Sequence, residues 1–507
     1  MPELHHISAF SRALAVVLGA GLLLLAKPAL GAPDWKLQEL RSQLARLSDD
    51  LRHEGPMRTW TVPDLIEDIE LPEIEGLQPQ PSTEIGEYKP FTLRWTDKRL
   101  ALAALSHPYG NQDNRRIMEA GRPGDTEALE VVEGVLTLSD LKRRLAARHL
   151  GYDIKTGADI LRVPLIIGKD ATLRLTQGDA LLLSREDGAF VVNFGKLEII
   201  SGEIAATSRI EEETREFAPF VATVGSGTVR LSDATLRDLG FGFTAKYAGF
   251  SILAHTTMQP GERNFIDNSR FDGLVAVALV GVKHAEVRGN RFFDMRRNPL
   301  LVSQSPSAVV EGNLFSGNTP TNAVRVANGS SNARLVRNIV LEGSRAGLLI
   351  SSGSDNVLVT GNLIWRRNGG GIKLHHVRCG RVQRNVILDD KQKGVEIRTS
   401  PDSLVAANRI IGNANAGVWV SAQKPENITY VLNNLLRENG SGLSTASGGD
   451  IALAGNDLTN QFPRFLDGDV TFQFRSIIAD LNGEIPIVLD SGGSRPASQL
   501  VPDTCDY

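Results

Sequence analysis

Asparagines recur along this chain at Asn268, Asn290, Asn313, Asn338, Asn362, Asn385 and Asn408, and Asn433 and Asn456 continue the series. Successive intervals over the first seven are 22, 23, 25, 24, 23 and 23 residues. Many share a neighbourhood, as in Gly289-Asn290-Arg291-Phe292, Gly312-Asn313-Leu314-Phe315 and Gly361-Asn362-Leu363-Ile364. A fixed period of about two dozen residues marks a solenoid, in which each repeat buries its apolar face against its neighbours. Antiparallel hairpins also use Gly-Asn turns, but they need no constant period. Asparagine tolerates the left-handed backbone of a tight corner, and stacked copies can bond one another as a ladder that fixes register. The sequence therefore predicts an all-β fold, a right-handed parallel β-helix.

About thirteen to fifteen residues before each ladder asparagine lies an alternating strand: Val324-Arg325-Val326-Ala327, Leu348-Leu349-Ile350-Ser351, Ile372-Lys373-Leu374-His375, Val395-Glu396-Ile397-Arg398 and Val418-Trp419-Val420-Ser421. Side chains alternate between the two faces of a strand, so the aliphatic set fills the core and the other set faces out. With neighbouring strands about 4.8 Å apart, Arg325, Leu349, Lys373, Glu396 and Trp419 form one outward lane, and Ser351, His375, Arg398 and Ser421 a second beside it. Such a surface suits a long polymer.

The rest of the chain frames this core. Arg12, the apolar run from Ala13 to Ala26 and the small residues Ala29-Leu30-Gly31 read as a secretory signal peptide over residues 1–31, too short for a spanning helix. Export to the periplasm, with no stable transmembrane segment after cleavage, is the expectation. Residues 32–158 read as an N-terminal extension. In it, Leu37, Leu40, Leu44, Leu47 and Leu51 place an amphipathic helix over Trp35–His53, Asp64–Pro90 is a proline-rich linker, and Leu136–Leu150 is a helix able to cap the open end of the solenoid. The β-helix is placed at residues 159–462, and a C-terminal cap at 463–507, where the period is lost. The formal charge of -4, without blocks of like sign, excludes a nucleic-acid partner. Cys379 and Cys505 are read as one buried thiol and one tail thiol rather than a disulfide framework. No His/Asp/Glu cluster has metal-ligand spacing, so neither metal nor cofactor is expected. His255 and His284 are read as structural.

Lys373, His375, Glu396 and Arg398 are the one place on the lane where residue types used in catalysis converge. On a polyuronate, the C-5 proton becomes removable once the charge growing on the adjacent carboxylate is neutralised. Arg398 suits that role through paired hydrogen bonds, and His375 suits the role of base. Lys373 could assist neutralisation, with Glu396 holding it, and Trp419 offers a platform for a sugar ring. Arg325, His376 and Arg378 complete the candidate polymer-binding set. Adjacent Lys/Glu and His/Arg pairs are also common as solvated cross-strand pairs that carry no chemistry.

From Leu161-Arg162-Val163-Pro164-Leu165 and Ala171-Thr172-Leu173, through Gly188-Ala189-Phe190-Val191-Val192-Asn193, Phe217-Ala218-Pro219-Phe220 and Asp238-Leu239-Gly240-Phe241, to the repeats beyond Asn268, the chain resembles the periplasmic mannuronan C-5 epimerases of alginate biosynthesis. The resemblance implies a right-handed β-helix, a periplasmic location and conversion of mannuronate to guluronate within a polymer. It departs at one motif. That family carries Asp-Pro-His-Asp on an outward strand with an arginine one coil on; the corresponding coil here reads Asn298-Pro299-Leu300-Leu301-Val302-Ser303. Three coils later Gly371-Ile372-Lys373-Leu374-His375-His376 restores a histidine at the same offset from the glycine, and Arg398 follows one coil on.

The leading expectation is thus a polyuronate C-5 epimerase acting on an anionic polysaccharide, with a periplasmic export complex as a possible partner. Two alternatives stand beside it: a lyase, in which the same carbanion expels the C-4 oxygen, and a non-catalytic β-helix that binds and guides polymer.

Overall fold

In the computed structural model, the described residues are 35–54, 60–66, 85–109, 112–121, 124–146, 159–209, 216–255, 257–497, 500 and 505. The signal-peptide reading and most of the proline-rich linker fall outside them. The chain divides into two compact units, 1–46 and 47–507. Of the first unit, the described part is the opening stretch of the helix Trp35–Glu54.

The second unit is a right-handed parallel β-helix with three strands per coil. The alternating strands predicted from the sequence pair in parallel and in register along one face, Leu300–Ser303 with Val324–Ala327, then Leu348–Ser351, Ile372–His375, Val395–Arg398 and Val418–Ser421. Their inward residues Val324, Leu348, Ile350, Ile372, Leu374, Val395, Ile397, Val418 and Val420 are wholly buried in one continuous core. Each such aliphatic side chain contributes about 1.5–3 kcal/mol over its exposed state. Inside the coils Phe271, Phe292 and Phe315 stack at centroid spacings of 5.1 and 4.6 Å, with Phe250 tilted against Phe271 at 6.1 Å.

The asparagine ladder exists, shifted by one residue at two places. Asn290, Asn313, Asn338, Asn362, Asn385, Asn408, Asn434 and Asn456 are buried, and each side-chain amide of the row bonds the next copy's Oδ1 at 2.9–3.0 Å. Ser269 opens the row by donating its amide to Asn290. Asn268 and Asn433, read from the sequence as ladder members, instead sit one residue earlier with φ of 46° and 55°, the corner position that Gly289, Gly312 and Gly361 fill elsewhere at φ of 62° to 65°. Both positions favour asparagine, one for its tolerance of left-handed backbone and the other for its paired donor and acceptor. A second buried row, Arg367, Asp390, Asn413, Asn439 and Gln461, runs along another corner through bonds from each backbone amide to the next side chain.

The N-terminal extension contributes strands as well as helices. Thr92–Asp97 pairs antiparallel with Glu127–Thr137, which pairs in parallel with Leu165–Leu175 and so begins the stack. Because that strand runs through Thr137, the following helix spans Leu138–Ala146, starting two residues later than the periodicity suggests. Thr137 and Asp140 cap it reciprocally. Leu138, Leu141 and Leu145 bury into the main core, closing its first coil.

The helices Lys98–Tyr109 and Asn114–Glu119 do something else. Leu102, Leu105 and Ile117 pack onto the outward residues of the first coils of the lane, Val192, Ala222 and Leu253, together with Phe190, Phe217, Phe220, Phe241 and Tyr247. The lane is roofed there and open further along.

At the other end the hairpin Ile487–Asp490 and Gly493–Pro496 adds antiparallel to Asp450–Ala454. Val488, Ala497 and Leu500 lie against Tyr430, Leu432 and Leu404 on the outside of the coils. The tail then reaches Cys379, and Cys379 and Cys505 form a disulfide with Cα atoms 5.7 Å apart. The sequence reading of two separate thiols is thereby corrected; a separation of 126 positions gave no hint that the tail folds back.

Candidate functional site

Two of the outward columns on the open lane carry the candidate chemistry. In one, Leu301, Arg325, Leu349, Lys373, Glu396, Trp419 and Ser444 stand on successive coils. In the other, Ser351, His375, Arg398 and Ser421 do so. Lys373 faces Glu396 and His375 faces Arg398 across one strand spacing, about 4.8 Å.

Glu396 is the hub. Its Oε1 lies 3.4 Å from His375 Nε2, and its Oε2 lies 3.1 Å from Lys373 Nζ and 3.5 Å from Lys393 Nζ. These contacts are close without being aligned as hydrogen bonds, since His375 Nε2 and Glu396 Oε2 are buried and have no hydrogen-bond partner. Burial pushes the Glu396 carboxyl up, but His375, Lys373 and Lys393 together outweigh it and hold the group down at about 2. It is therefore a carboxylate at neutral pH.

Lys393 is the residue that sequence reading missed. It belongs to the loop before the strand, outside the alternating pattern, and its Nζ sits 4.2 Å over the ring of Trp419. Burial lowers its pKa first, with Glu396 raising it and Lys373 and Arg398 lowering it further. The available signal was its place three residues before Glu396, within reach of that carboxylate.

Arg398 is exposed, and its guanidinium has no hydrogen bond or ion pair among the described residues. Arg325 is also exposed, two coils before Lys373. His376 and Arg378 depart from the lane. His376 adopts φ of 58° at the corner, and Arg378 turns to Asp402 at 3.4 Å. Both stand on the border rather than the floor. His255 pairs with Met258 in a turn, and His284 has φ of 54° in another. The one group of metal-ligating residue types among the described residues, Cys379, Asp402 and Cys505, has its two sulfurs joined as the disulfide. A cavity of about 440 Å³ lined by Lys196, Arg230, Glu262, Arg263 and Phe265 lies on another face.

Coils stacked in this way, with one polar lane left uncovered, define a right-handed parallel β-helix protein. In sequence the chain is similar to proteins named mannuronan C5-epimerase, in line with the resemblance noted above. A family described as a right handed beta helix region matches residues 225–364, and one described as the periplasmic copper-binding protein NosD matches 327–474. Mannuronan C5-epimerase of Pseudomonas putida is 22% identical over 271 residues, covering 50% of this chain and 51% of that protein. The same enzyme of Pseudomonas aeruginosa is 27% identical over 182 residues, 33% of each chain. The chain thus spans about half the length, or less, of these curated relatives. A crystal structure of a mutant of the periplasmic alginate epimerase AlgG superposes with a TM-score of 0.61 at 16% identity, covering 78% of this chain and 99% of that one. At that identity the likeness is one of fold. No helix among the described residues is long and apolar enough to cross a membrane.

Proposed function

We propose that the protein acts in the periplasm on an anionic polysaccharide of the polyuronate type and inverts C-5 of its sugars, as a mannuronan-type C-5 epimerase. The observation that carries this reading is the exposed guanidinium of Arg398, unpartnered among the described residues and one coil from His375, on a lane where Lys373 and Lys393 contact the carboxylate of Glu396 and Arg325 stands exposed three coils before it. A surplus of fixed cations attracts a polyanion, and guanidinium matches a sugar carboxylate with two parallel bonds.

In this reading Arg398 neutralises the charge that builds on the carboxylate as the C-5 proton leaves. His375 is the base, with the charge of Glu396 3.4 Å from its Nε2 to stabilise the imidazolium that forms. Trp419 receives a sugar ring. His376 and Arg378, on the border, guide the polymer rather than touch the reacting sugar. The curated relatives of similar sequence bear the name of this activity, which supports the choice of inversion over chain cleavage.

Incubation of purified protein with polymannuronate, followed by proton NMR of the anomeric region, tests the proposal. New guluronate signals are expected. Arg398→Ala is expected to lower the rate by about 100-fold or more, the size of effect when a charge-stabilising donor is removed. Unchanged anomeric signals with the wild-type protein would sink the epimerase reading. Unsaturated, ultraviolet-absorbing chain ends would replace it with a lyase, and polymer binding alone would leave a guiding β-helix.

A further inference from the structure

Inverting a carbon needs a proton removed on one side and another delivered on the opposite side. On the reading above, His375 supplies only the first. His375 ends its strand, at the border of the lane where the chain turns toward Arg378. Across the lane stands Lys393, three residues ahead of Glu396 on the loop that forms the other border. Both reach the same carboxylate, His375 at Oε1 and Lys393 at Oε2, so Glu396 lies between them.

Lys373 also touches Oε2, but it stands on the same strand as His375, two residues away, whereas Lys393 stands on the loop before the neighbouring strand, at the opposite end from His375. The Lys393 ammonium stands 4.2 Å over Trp419, on the ring expected to seat the sugar. We propose, resting on the epimerase reading, that Lys393 is the acid that returns a proton to C-5 from the face opposite His375.

The step balances. His375 takes the C-5 proton, and the electron pair of the C–H bond moves into the carboxylate as an enolate whose charge Arg398 offsets. The enolate's C-5 then forms a bond to a proton from the Lys393 ammonium. A neutral amine and an imidazolium remain, and exchange with water restores both. Burial, which eases loss of the lysine proton, favours the transfer.

Polymannuronate incubated in deuterium oxide separates the two halves of the reaction. With wild-type protein, guluronate should appear carrying deuterium at C-5. With Lys393→Met, guluronate formation should fall by about 100-fold or more, while deuterium accumulates at C-5 of mannuronate that has not inverted, because His375 returns a deuteron to the face it came from. Lys393→Arg keeps the charge but has no proton to give, and should behave as the Met variant does. His375→Ala should abolish inversion and exchange together.

The assignment is overturned if Lys393→Met inverts within a few-fold of wild type, or if Lys393→Arg restores inversion. It is equally overturned if Lys393→Met, melting as wild type does and still retaining polymer, loses exchange and inversion together. Wild-type protein that neither exchanges nor inverts would fail the epimerase reading itself, and the acid would fall with it.

Discussion

Glu396 concentrates the electrostatics of the lane in one side chain. Held at about 2 instead of the ordinary 4.5, it contributes stability that is complete above about pH 4.5 and is lost as the pH falls toward 2. Thermal melts from pH 6 down to 2 should show the wild type losing more stability than Glu396→Gln does, by an amount on the order of 3 kcal/mol. Equal slopes would mean that the ion pairs with Lys373 and Lys393 are too screened to matter. Asp390 has the opposite sign. Complete burial pushes it up to about 8, against weaker pulls from the backbone bond to Arg367 and the Arg367 charge. The neutral acid is thus favoured in the fold, and that advantage fades as the pH climbs from the unfolded value of about 4 toward 8. Its Oδ2 is buried without a partner in a row whose next members are Asn413 and Asn439. Asp390→Asn would keep a donor for Asn413 Oδ1 at that position at every pH, as Asn413 donates to Asn439. A gain of about 1 kcal/mol is expected, with a margin over wild type that widens from pH 4 to pH 8 in thermal melts.

For the coil as an element, the ladder is the test. Asn362 accepts from the amide and side chain of Asn338 and donates to Asn385, all of them buried. Asn362→Ala strands several polar groups at once, and a loss of about 3 kcal/mol or more is expected in denaturant melts; a loss under 1 kcal/mol would show that water replaces the rung. The period and the alternation were readable because each coil repeats the same local demands, and they place His375 and Arg398 on one face. Two features escaped. Lys393 lies on a loop, where no alternation says which way a side chain points. The roof over the first coils depends on Leu102, Leu105 and Ile117 meeting residues about a hundred positions away, and long-range packing leaves little local trace. One trace was there: Val191-Val192 and Phe220-Val221-Ala222 are apolar on both faces, the signature of strands covered on both sides.

On the scale of the molecule, the Cys379–Cys505 bond matters most. It closes a loop of 126 residues, for which the chain-entropy estimate is a stabilisation of up to about 5 kcal/mol. Cys505→Ala, or reduction of the wild type, is expected to lower the melting temperature, while an unchanged transition would mean that the hairpin and Leu500 hold the tail without it. The order of strands was legible because a solenoid's neighbours in sequence are its neighbours in space. The return of the tail was not, since a cross-link between a corner and a terminus has no period.

A pile of coils joined only to its neighbours ordinarily peels from whichever end is loose. Here the leading end is plugged by Leu138, Leu141 and Leu145, and the trailing end is laced back to the corner four residues beyond His375. Unravelling from the rear must therefore either carry a covalent loop with it or begin at the very coil that bears the histidine. The rungs in greatest need of exact placement are the ones least free to slip.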